Sequence, residues 1–253
     1  MNKPLVVASR GDVESAPENT IPAFESAISK GADGIELDVH PTADGELIVH
    51  HFYNLGSTDN GEGLVSEHTL AELKSLDSGN WFATEFTGEK KPTLSEVFER
   101  YGGEARFEID MKDSKPAFLR KVIEEVERFN LAGEIELTTA HYPLLKYVKE
   151  HNPQLRTGTF FYQPPDWMPF RLTQKHIFDW AGLLGIDVVH LNTSLITAEF
   201  VEKLHRSGFI VYGSNLNLTE QIRRCLELGI DSFSTGRLER ALRIRDEFVQ
   251  SRT

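Results

Sequence analysis

The chain has 253 residues, and 40% of them are hydrophobic, which is enough to bury a sizeable core. Its formal net charge of −12 argues against a nucleic-acid partner and against an anionic membrane surface, because both attract basic patches. The single cysteine, Cys225, excludes an internal disulfide framework and a cysteine metal cluster.

Nothing in the sequence indicates a membrane span or export. The chain has no run of about 18 apolar residues, and no apolar secretory stretch follows Met1. We therefore expect a soluble, cytoplasmic protein.

The first elements predict a βαβ unit. Residues 5–8 are a short apolar run, of the kind that forms a buried parallel strand. Residues 17–20 are typical of a loop that closes with a helix cap, and apolar residues at helical spacing follow as far as Lys30-Gly31. A second strand is predicted over residues 34–39, directly after that helix.

Two acidic residues, Glu36 and Asp38, lie two positions apart in this second strand. Alternate residues of a strand share a face, so both carboxylates point to the same side. Such a pair is costly in a buried strand unless a positive group lies nearby. A hard divalent cation would satisfy the pair, and so would water or an Arg or Lys partner; the spacing leaves both explanations open.

The stretch from about 52 to 92 is irregular, and we interpret it as an insertion after the second barrel strand. Five glycines interrupt it, and Thr69–Glu72 has the capping-box pattern that begins a short helix. A second capping box, Thr93–Glu96, begins the next helix. Long excursions of this kind inside an α/β pattern usually carry function.

Strands and helices alternate again beyond residue 100. Strands are predicted at 106–110, 134–137, 158–161, 188–191, 210–212 and 232–235. Helices are predicted at 117–129, 142–148, 176–184, 198–205, 218–228 and 239–248. With the first two strands, this makes eight strands that are each followed by a helix, which predicts a single α/β domain over 1–253, a (β/α)8 TIM barrel.

Several short motifs along the chain form one recognisable set. They are Arg10-Gly11, Pro17-Glu18-Asn19-Thr20, Ile35-Glu36-Leu37-Asp38-Val39, Asp44-Gly45, His51, Asn60-Gly61, Pro92-Thr93-Leu94, Asp110-Met111-Lys112 and Gly229-Ile230-Asp231. The set resembles the glycerophosphodiester phosphodiesterases, a TIM-barrel family, and the resemblance covers essentially the whole chain. It implies metal-assisted hydrolysis of a small-molecule phosphodiester to an alcohol and glycerol 3-phosphate.

The resemblance also implies a metal site. Glu36 and Asp38 match two of the family's metal ligands, and Asp110 stands where the family usually has a third, a glutamate. The cation expected in such a site is Ca²⁺ or Mg²⁺, which would offset the charge that develops on the phosphorus centre.

Three further residues have implied catalytic roles. Arg10 resembles a phosphate contact, since its planar fork suits phosphate oxygens, and Lys112 resembles a second cation on the phosphate side. His51 resembles one of two histidines that perform acid–base catalysis, one activating the nucleophile and the other protonating the leaving group.

The chain departs from the family pattern at five positions that we expect near the barrel mouth. Ser9 stands in place of the first catalytic histidine, and Phe52 replaces the aspartate that follows the second. Ser57 replaces an arginine, Ser214 replaces the tryptophan of a Trp-Thr pair, and Gly236 replaces an aspartate. We expect these altered residues to enlarge the pocket and make it less polar.

The predicted substrate pocket is lined by Ser9, Phe52, Ser214 and Phe160. Phe161 and Tyr162 are neighbouring alternatives for the same wall, since strand alternation lets at most two of the three point inward.

The sequence leaves three functions open. The first is an active but atypical phosphodiesterase that uses His51 and a metal. The second is a pocket altered by engineering, which binds or converts a less polar molecule through a carboxylate base or a nucleophilic Lys112 amine. The third is a natural pseudoenzyme that only binds. For Lys112, a plain ion pair with Asp110 or Glu36 is the alternative to the nucleophile.

Overall fold

Eight parallel strands close into a barrel in the computed structural model, which describes residues 3–161 and 165–252. The barrel strands are β1 (Leu5–Ser9), β2 (Gly34–Pro41), β4 (Arg106–Met111), β5 (Ile135–Thr138), β6 (Arg156–Phe161), β7 (Val188–Leu191), β8 (Ile210–Gly213) and β9 (Ser232–Thr235). β1 pairs with both β2 and β9, and this double pairing closes the sheet. The predicted TIM barrel is therefore confirmed.

A helix follows each barrel strand. The helices are α1 (Ile21–Ser29), α2 (Leu70–Ser75), α3 (Leu94–Tyr101), α4 (Pro116–Arg128), α5 (Pro143–His151), α6 (Phe170–Leu184), α7 (Ala198–Arg206), α8 (Thr219–Glu227) and α9 (Leu238–Gln250). Most lie within a few residues of their predicted bounds, but α6 begins six residues before the predicted 176. No helix of the described part of the chain is long and apolar enough to cross a membrane.

The core lies between the barrel and the helices. Ile35, Leu37 and Val39 of β2 are fully buried on the outer face of the barrel, where they pack with residues of α3 and α4. Their alternation with Glu36 and Asp38 therefore sends both carboxylates into the barrel, as the period of two predicts.

The insertion after β2 begins earlier than the sequence indicates. Gly45 has a φ of 81°, which permits a tight turn, and β3 (Leu47–Val49) then pairs antiparallel with β2. A strand this short has too few alternating residues for the sequence pattern to indicate a hairpin. Both predicted capping boxes, Thr69–Glu72 and Thr93–Glu96, are present.

Candidate active site

The first strands of the barrel bring the predicted site residues to one end. In the β1–β2 register Ser9 is level with Glu36, and in the β2–β4 register Asp38 is level with Asp110. These positions are at the carboxyl ends of the strands, the end at which TIM-barrel active sites lie.

The buried Glu36 carboxylate accepts hydrogen bonds from Ser9, the last residue of β1, and from the next residue, Arg10. The Ser9 hydroxyl donates to Glu36 Oε2 at 3.0 Å, and the backbone N–H of Arg10 donates to the same oxygen at 2.9 Å. Burial raises the pKa of the Glu36 carboxyl well above its usual value, and the negative charges of Asp38 and Glu108 raise it further. Ser9 therefore acts here as a donor to a carboxylate.

Lys112 lies between two carboxylates. Its Nζ is 2.7 Å from Asp38 Oδ1 and 2.5 Å from Asp110 Oδ2. The ion-pair alternative named Asp110 or Glu36 as the partner. Lys112 pairs with Asp110, and its second partner is Asp38. Burial disfavours its charge, but the two carboxylates outweigh this and raise the pKa of Lys112 above its usual value. The ammonium is thus held protonated, which argues against a nucleophilic amine.

The pKa values of the two carboxyls shift in opposite directions. Burial alone would raise the pKa of Asp38, but the Lys112 charge outweighs it and holds that pKa below its usual value. Burial raises the pKa of Asp110, and Lys112 offsets only part of the effect. Asp38 is therefore the carboxylate most firmly ionised here.

The loop over residues 17–20 contacts residues of the site as well as preceding α1. Asn19 has a left-handed backbone, with φ at 57°, and its amide donates to Asp38 Oδ2 at 2.8 Å. The Thr20 side chain, predicted to cap α1, instead donates to the carbonyl of Pro17 at 2.6 Å. Glu18 accepts a 2.9 Å hydrogen bond from Arg10 Nη1, a contact that no spacing in the sequence indicates.

His51 is next to this loop. Its Nδ1 is 3.8 Å from Glu18 Oε1, and both atoms are buried without a hydrogen-bond partner in the part of the chain that the structure describes. The Phe52 ring packs against the imidazole with ring centres 4.4 Å apart. Burial lowers the pKa of His51 to about 4, so the imidazole is neutral at neutral pH.

The four predicted pocket residues fall into two places. Ser9 and Phe52 contact Glu36 and His51, whereas Ser214 and Phe160 line a separate cavity of about 260 Å³ at the ends of β6, β7 and β8. Phe161 lines that cavity too, and the predicted wall residue Tyr162 is outside the described residues.

The other departures from the family pattern lie apart from the carboxylates. Ser57 is an exposed residue of the insertion, where a surface hollow is formed with its neighbours 54–63. Gly236 follows β9, and its N–H donates to Asn217 Oδ1 at 2.9 Å. Neither is among the residues that contact His51, Arg10 or Lys112 in the contacts described above.

The barrel interior also contains a polar layer that the motifs do not indicate. Glu108 is level with Glu36 in the β2–β4 register, and its Oε2 accepts a 2.5 Å hydrogen bond from the Tyr212 hydroxyl. His190 Nε2 is 2.5 Å from Glu136 Oε1, and its ring stacks on that of Tyr212. Strand alternation already places Glu108 on the same face as Asp110, and this signal could have identified it.

A divalent cation fits the chemistry of the cluster formed by Glu36, Asp38 and Asp110. Carboxylate oxygens are the preferred ligands of Ca²⁺ and Mg²⁺. With Glu18, the site has four acidic side chains beside the two cations Arg10 and Lys112, and a further cation would favour the ionised forms of Glu36 and Asp110, whose pKa values are raised here.

The carboxylates of this cluster are not spaced as a set of metal ligands. Within residues 3–161 and 165–252, no three His, Cys, Asp or Glu side chains are arranged to hold a metal ion. The ammonium of Lys112 is between Asp38 and Asp110 instead, so a cation would have to displace it from part of this contact.

Comparisons with known proteins agree with the fold and with the motifs. Residues 10–240 match the model of the glycerophosphoryl diester phosphodiesterase family. A glycerophosphodiester phosphodiesterase of Caldanaerobacter subterraneus is 34% identical over 237 residues, which cover 92% of this chain and 94% of that protein. One from Bacillus subtilis is 41% identical over 248 residues, 92% of this chain and 83% of that one.

Solved structures share the barrel. A phosphodiesterase of Oleispira antarctica in complex with the product sn-glycerol-3-phosphate superposes with a TM-score of 0.84 at 24% identity, over 96% of this chain and 97% of that one. A putative glycerophosphoryl diester phosphodiesterase of Silicibacter pomeroyi superposes with a TM-score of 0.85 at 25% identity, over 97% and 94%.

Proposed function

The chain belongs to the glycerophosphoryl diester phosphodiesterase family, and from this membership we propose that it hydrolyses glycerophosphodiesters, more slowly than relatives with two catalytic histidines. The observation that carries the proposal is the convergence of Arg10, Lys112 and His51 around Asp38 at the mouth of the barrel. Two fixed cations beside a neutral imidazole suit a phosphodiester anion and its attacking water.

Arg10 and Lys112 bind and orient the phosphate. Glu18 holds the guanidinium of Arg10 from one side, and Asp38 and Asp110 hold the ammonium of Lys112. A side chain fixed in this way loses little freedom when substrate binds, so more of its attraction for the phosphate oxygens is retained. The two cations also offset the negative charge that grows on those oxygens during attack.

His51 accepts the proton of the attacking water. Because its pKa is about 4, the imidazole is neutral and can act as a base at neutral pH. Water oxygen bonds to phosphorus, the bond from phosphorus to the alcohol oxygen breaks, and the products are glycerol 3-phosphate and the alcohol. Glu18, which faces Nδ1, directs the proton of that nitrogen inward and leaves Nε2 for the water.

The departing alcohol oxygen has no imidazole to protonate it. The Ser9 hydroxyl at the family position donates to Glu36 and is a poor acid near neutral pH. The proton must therefore come from solvent, which is the physical reason for the slow turnover. Loss of one acid–base group typically costs about 10²- to 10⁴-fold in rate.

A divalent cation completes the site in our proposal, held by Glu36, Asp38 and Asp110. When bound, Ca²⁺ or Mg²⁺ would stabilise the negative charge on the phosphate oxygens. Its positive charge would also keep Glu36 ionised, against the burial that raises the pKa of this carboxyl.

The experiment is release of glycerol 3-phosphate from purified protein incubated with glycerophosphodiesters and Mg²⁺ or Ca²⁺. We expect slow release that a chelator abolishes. A pocket that converts a carbonyl compound through Lys112 would instead give a borohydride-trapped adduct on that residue. The raised pKa of Lys112 favours the hydrolase, so we expect no adduct.

A further inference from the structure

A cavity of about 260 Å³ lies at the carboxyl ends of β6, β7 and β8. In the closed strand order β6 and β7 are opposite β1 and β2, and β9 separates β8 from β1. All barrel strands are parallel, so the cavity opens at the same end as Arg10 and Lys112. We name it the Ser214 cavity, after Ser214 on the loop that follows β8.

We propose that the Ser214 cavity holds the alcohol half of the substrate and selects neutral, hydroxyl-bearing alcohols. The inference rests on the proposed phosphodiesterase function, and it adds the substrate class. Such alcohols include glycerol and inositol, as opposed to the cationic choline and ethanolamine or the zwitterionic serine.

The described residues that line the cavity are uncharged. Each of the described residues that line it is a phenylalanine or carries a hydroxyl or an amide; they include Phe160, Asn192, Thr193, Ser214 and Gln221. A quaternary ammonium needs a carboxylate or an aromatic cage, and a carboxylate group needs a cation. The described lining offers neither a carboxylate nor a cation, and its two aromatic residues, Phe160 and Phe161, are adjacent on β6 and so point to opposite faces rather than forming a cage.

The cavity has hydrogen-bonding groups that a ligand can use. The Ser214 hydroxyl oxygen is buried and has no hydrogen-bond partner among residues 3–161 and 165–252, so a ligand hydroxyl would satisfy it. Asn192 uses its side-chain oxygen to accept from the N–H of Ser194 at 3.0 Å, which leaves its amide N–H groups to donate. Groups that both donate and accept are complementary to alcohols, whose hydroxyls do the same.

The variable half of the substrate suits this cavity better than the common half. Glycerol 3-phosphate is shared by all substrates of the reaction, whereas the alcohol differs from one to the next. Under the proposed function Arg10 and Lys112 hold the phosphate, and the Ser214 cavity lies apart from them at the same end of the barrel. A space of this kind, next to but outside the phosphate contacts, is placed to receive the group that varies.

The test compares glycerophosphoglycerol and glycerophosphoinositol with glycerophosphocholine, glycerophosphoethanolamine and glycerophosphoserine. We expect kcat/KM to be about tenfold or more higher for the two neutral alcohols, because a charged group would lie unpaired in this cavity. Dissociation constants of the intact diesters, measured by calorimetry with the His51→Asn protein, should follow the same order.

Two variants test whether the Ser214 cavity causes the preference for neutral alcohols. Ser214→Trp fills the cavity and should lower kcat/KM for the neutral diesters about tenfold, while inhibition by glycerol 3-phosphate stays unchanged. Asn192→Asp, at an exposed position, adds a negative charge at nearly constant volume and should move the preference toward glycerophosphocholine. If Ser214→Trp fails to fold, Asn192→Asp still tests whether the cavity selects the alcohol.

The outcomes separate the two proposals. If no diester is cleaved, the proposed hydrolysis is wrong, and the order of the dissociation constants still decides the role of the cavity. Equal affinity for neutral and charged alcohols would overturn the inference. So would a Ser214→Trp protein that binds glycerol 3-phosphate more weakly, since the cavity would then hold the glycerol half.

Discussion

Glu18 Oε1 faces His51 Nδ1 across 3.8 Å, and neither atom has a hydrogen-bond partner among the described residues. The relationship depends on the left-handed Asn19, which fixes the loop by donating to Asp38. The Phe52 ring packs against the imidazole, with ring centres 4.4 Å apart. Glu18 is thus the nearest acidic group left to orient His51, and a contact of this length often shortens once substrate is bound.

Glu18→Gln tests this orientation. The amide keeps an oxygen for Arg10 but loses the negative charge that faces His51, so we expect kcat to fall about tenfold with a smaller change in KM. The carboxylate charge that raises the pKa of His51 against burial is that of Asp38, so the acid limb of the pH–rate profile should stay in place. The measurements are kcat and KM, with the His51 tautomer read by nitrogen NMR.

The matched control is Arg10→Lys, which weakens the phosphate contact and should raise KM while the His51 tautomer is unchanged. If Glu18→Gln raised only KM, Glu18 would serve Arg10 alone. In that case the orientation of His51 would need another source.

Ser9→His with Phe52→Asp should restore a second acid–base group and the missing carboxylate. We expect the double variant to cleave glycerophosphodiesters about 10²-fold faster than the natural chain, because the leaving group then receives its proton from an imidazole. Each single variant is the control, and the gain should exceed the sum of the two. A double variant that folds but is no faster would show that lost acid–base groups do not limit the rate.

Binding of a divalent cation should stabilise the protein. A ligand at about 100 times its Kd adds about 2.7 kcal/mol to the unfolding free energy, so Mg²⁺ or Ca²⁺ should raise Tm by several degrees. Glu36→Gln and Asp38→Asn should lose this shift, whereas Glu104→Gln, at an exposed carboxylate, should keep it. An equal shift in all four proteins would place the ion elsewhere.

His50 makes the stability of the insertion depend on pH. It is 2% exposed, with Nε2 3.3 Å from the carbonyl of Asn54, and burial followed by the Lys91 charge lowers its pKa to about 4. Between pH 6.5 and about 4 the unfolded chain binds a proton at His50 that the folded chain does not, so stability falls as the pH falls through this window.

His50→Gln should remove this contribution. The loss of unfolding free energy between pH 7 and pH 4 should become smaller than in the natural chain by on the order of 1–3 kcal/mol. Urea unfolding at the two pH values measures it, with His176→Gln at an exposed position as the control. Parallel losses in the natural and His50→Gln proteins would contradict a buried neutral His50.

Local patterns predict the barrel because its strands are short apolar runs and two of its helices begin with capping boxes. The same alternation predicts that Glu36 and Asp38 share one face of β2, and that face is the inside of the barrel. The side-chain network cannot be predicted in the same way, because it depends on which strands become neighbours and in which register. The approach of Glu18 to His51 joins two loops, and no spacing along the chain encodes it.

The predicted pocket also depends on which strands become neighbours, and the sequence does not give that order. The departures from the family pattern predict one enlarged, less polar space. They instead separate into contacts on Glu36 and His51, made by Ser9 and Phe52, and the Ser214 cavity at the ends of β6, β7 and β8. Ser57 lies in the exposed insertion, away from the strand ends, and only the barrel order shows that β9 lies between β1 and β8.

The most direct test of the account is glycerol 3-phosphate release by the natural chain and by His51→Ala, with Mg²⁺ and with a chelator. We predict slow release with Mg²⁺ that falls about 10²-fold or more in His51→Ala and disappears when the cation is removed. Release that is unchanged in His51→Ala, or no release from any glycerophosphodiester by folded protein, would contradict it.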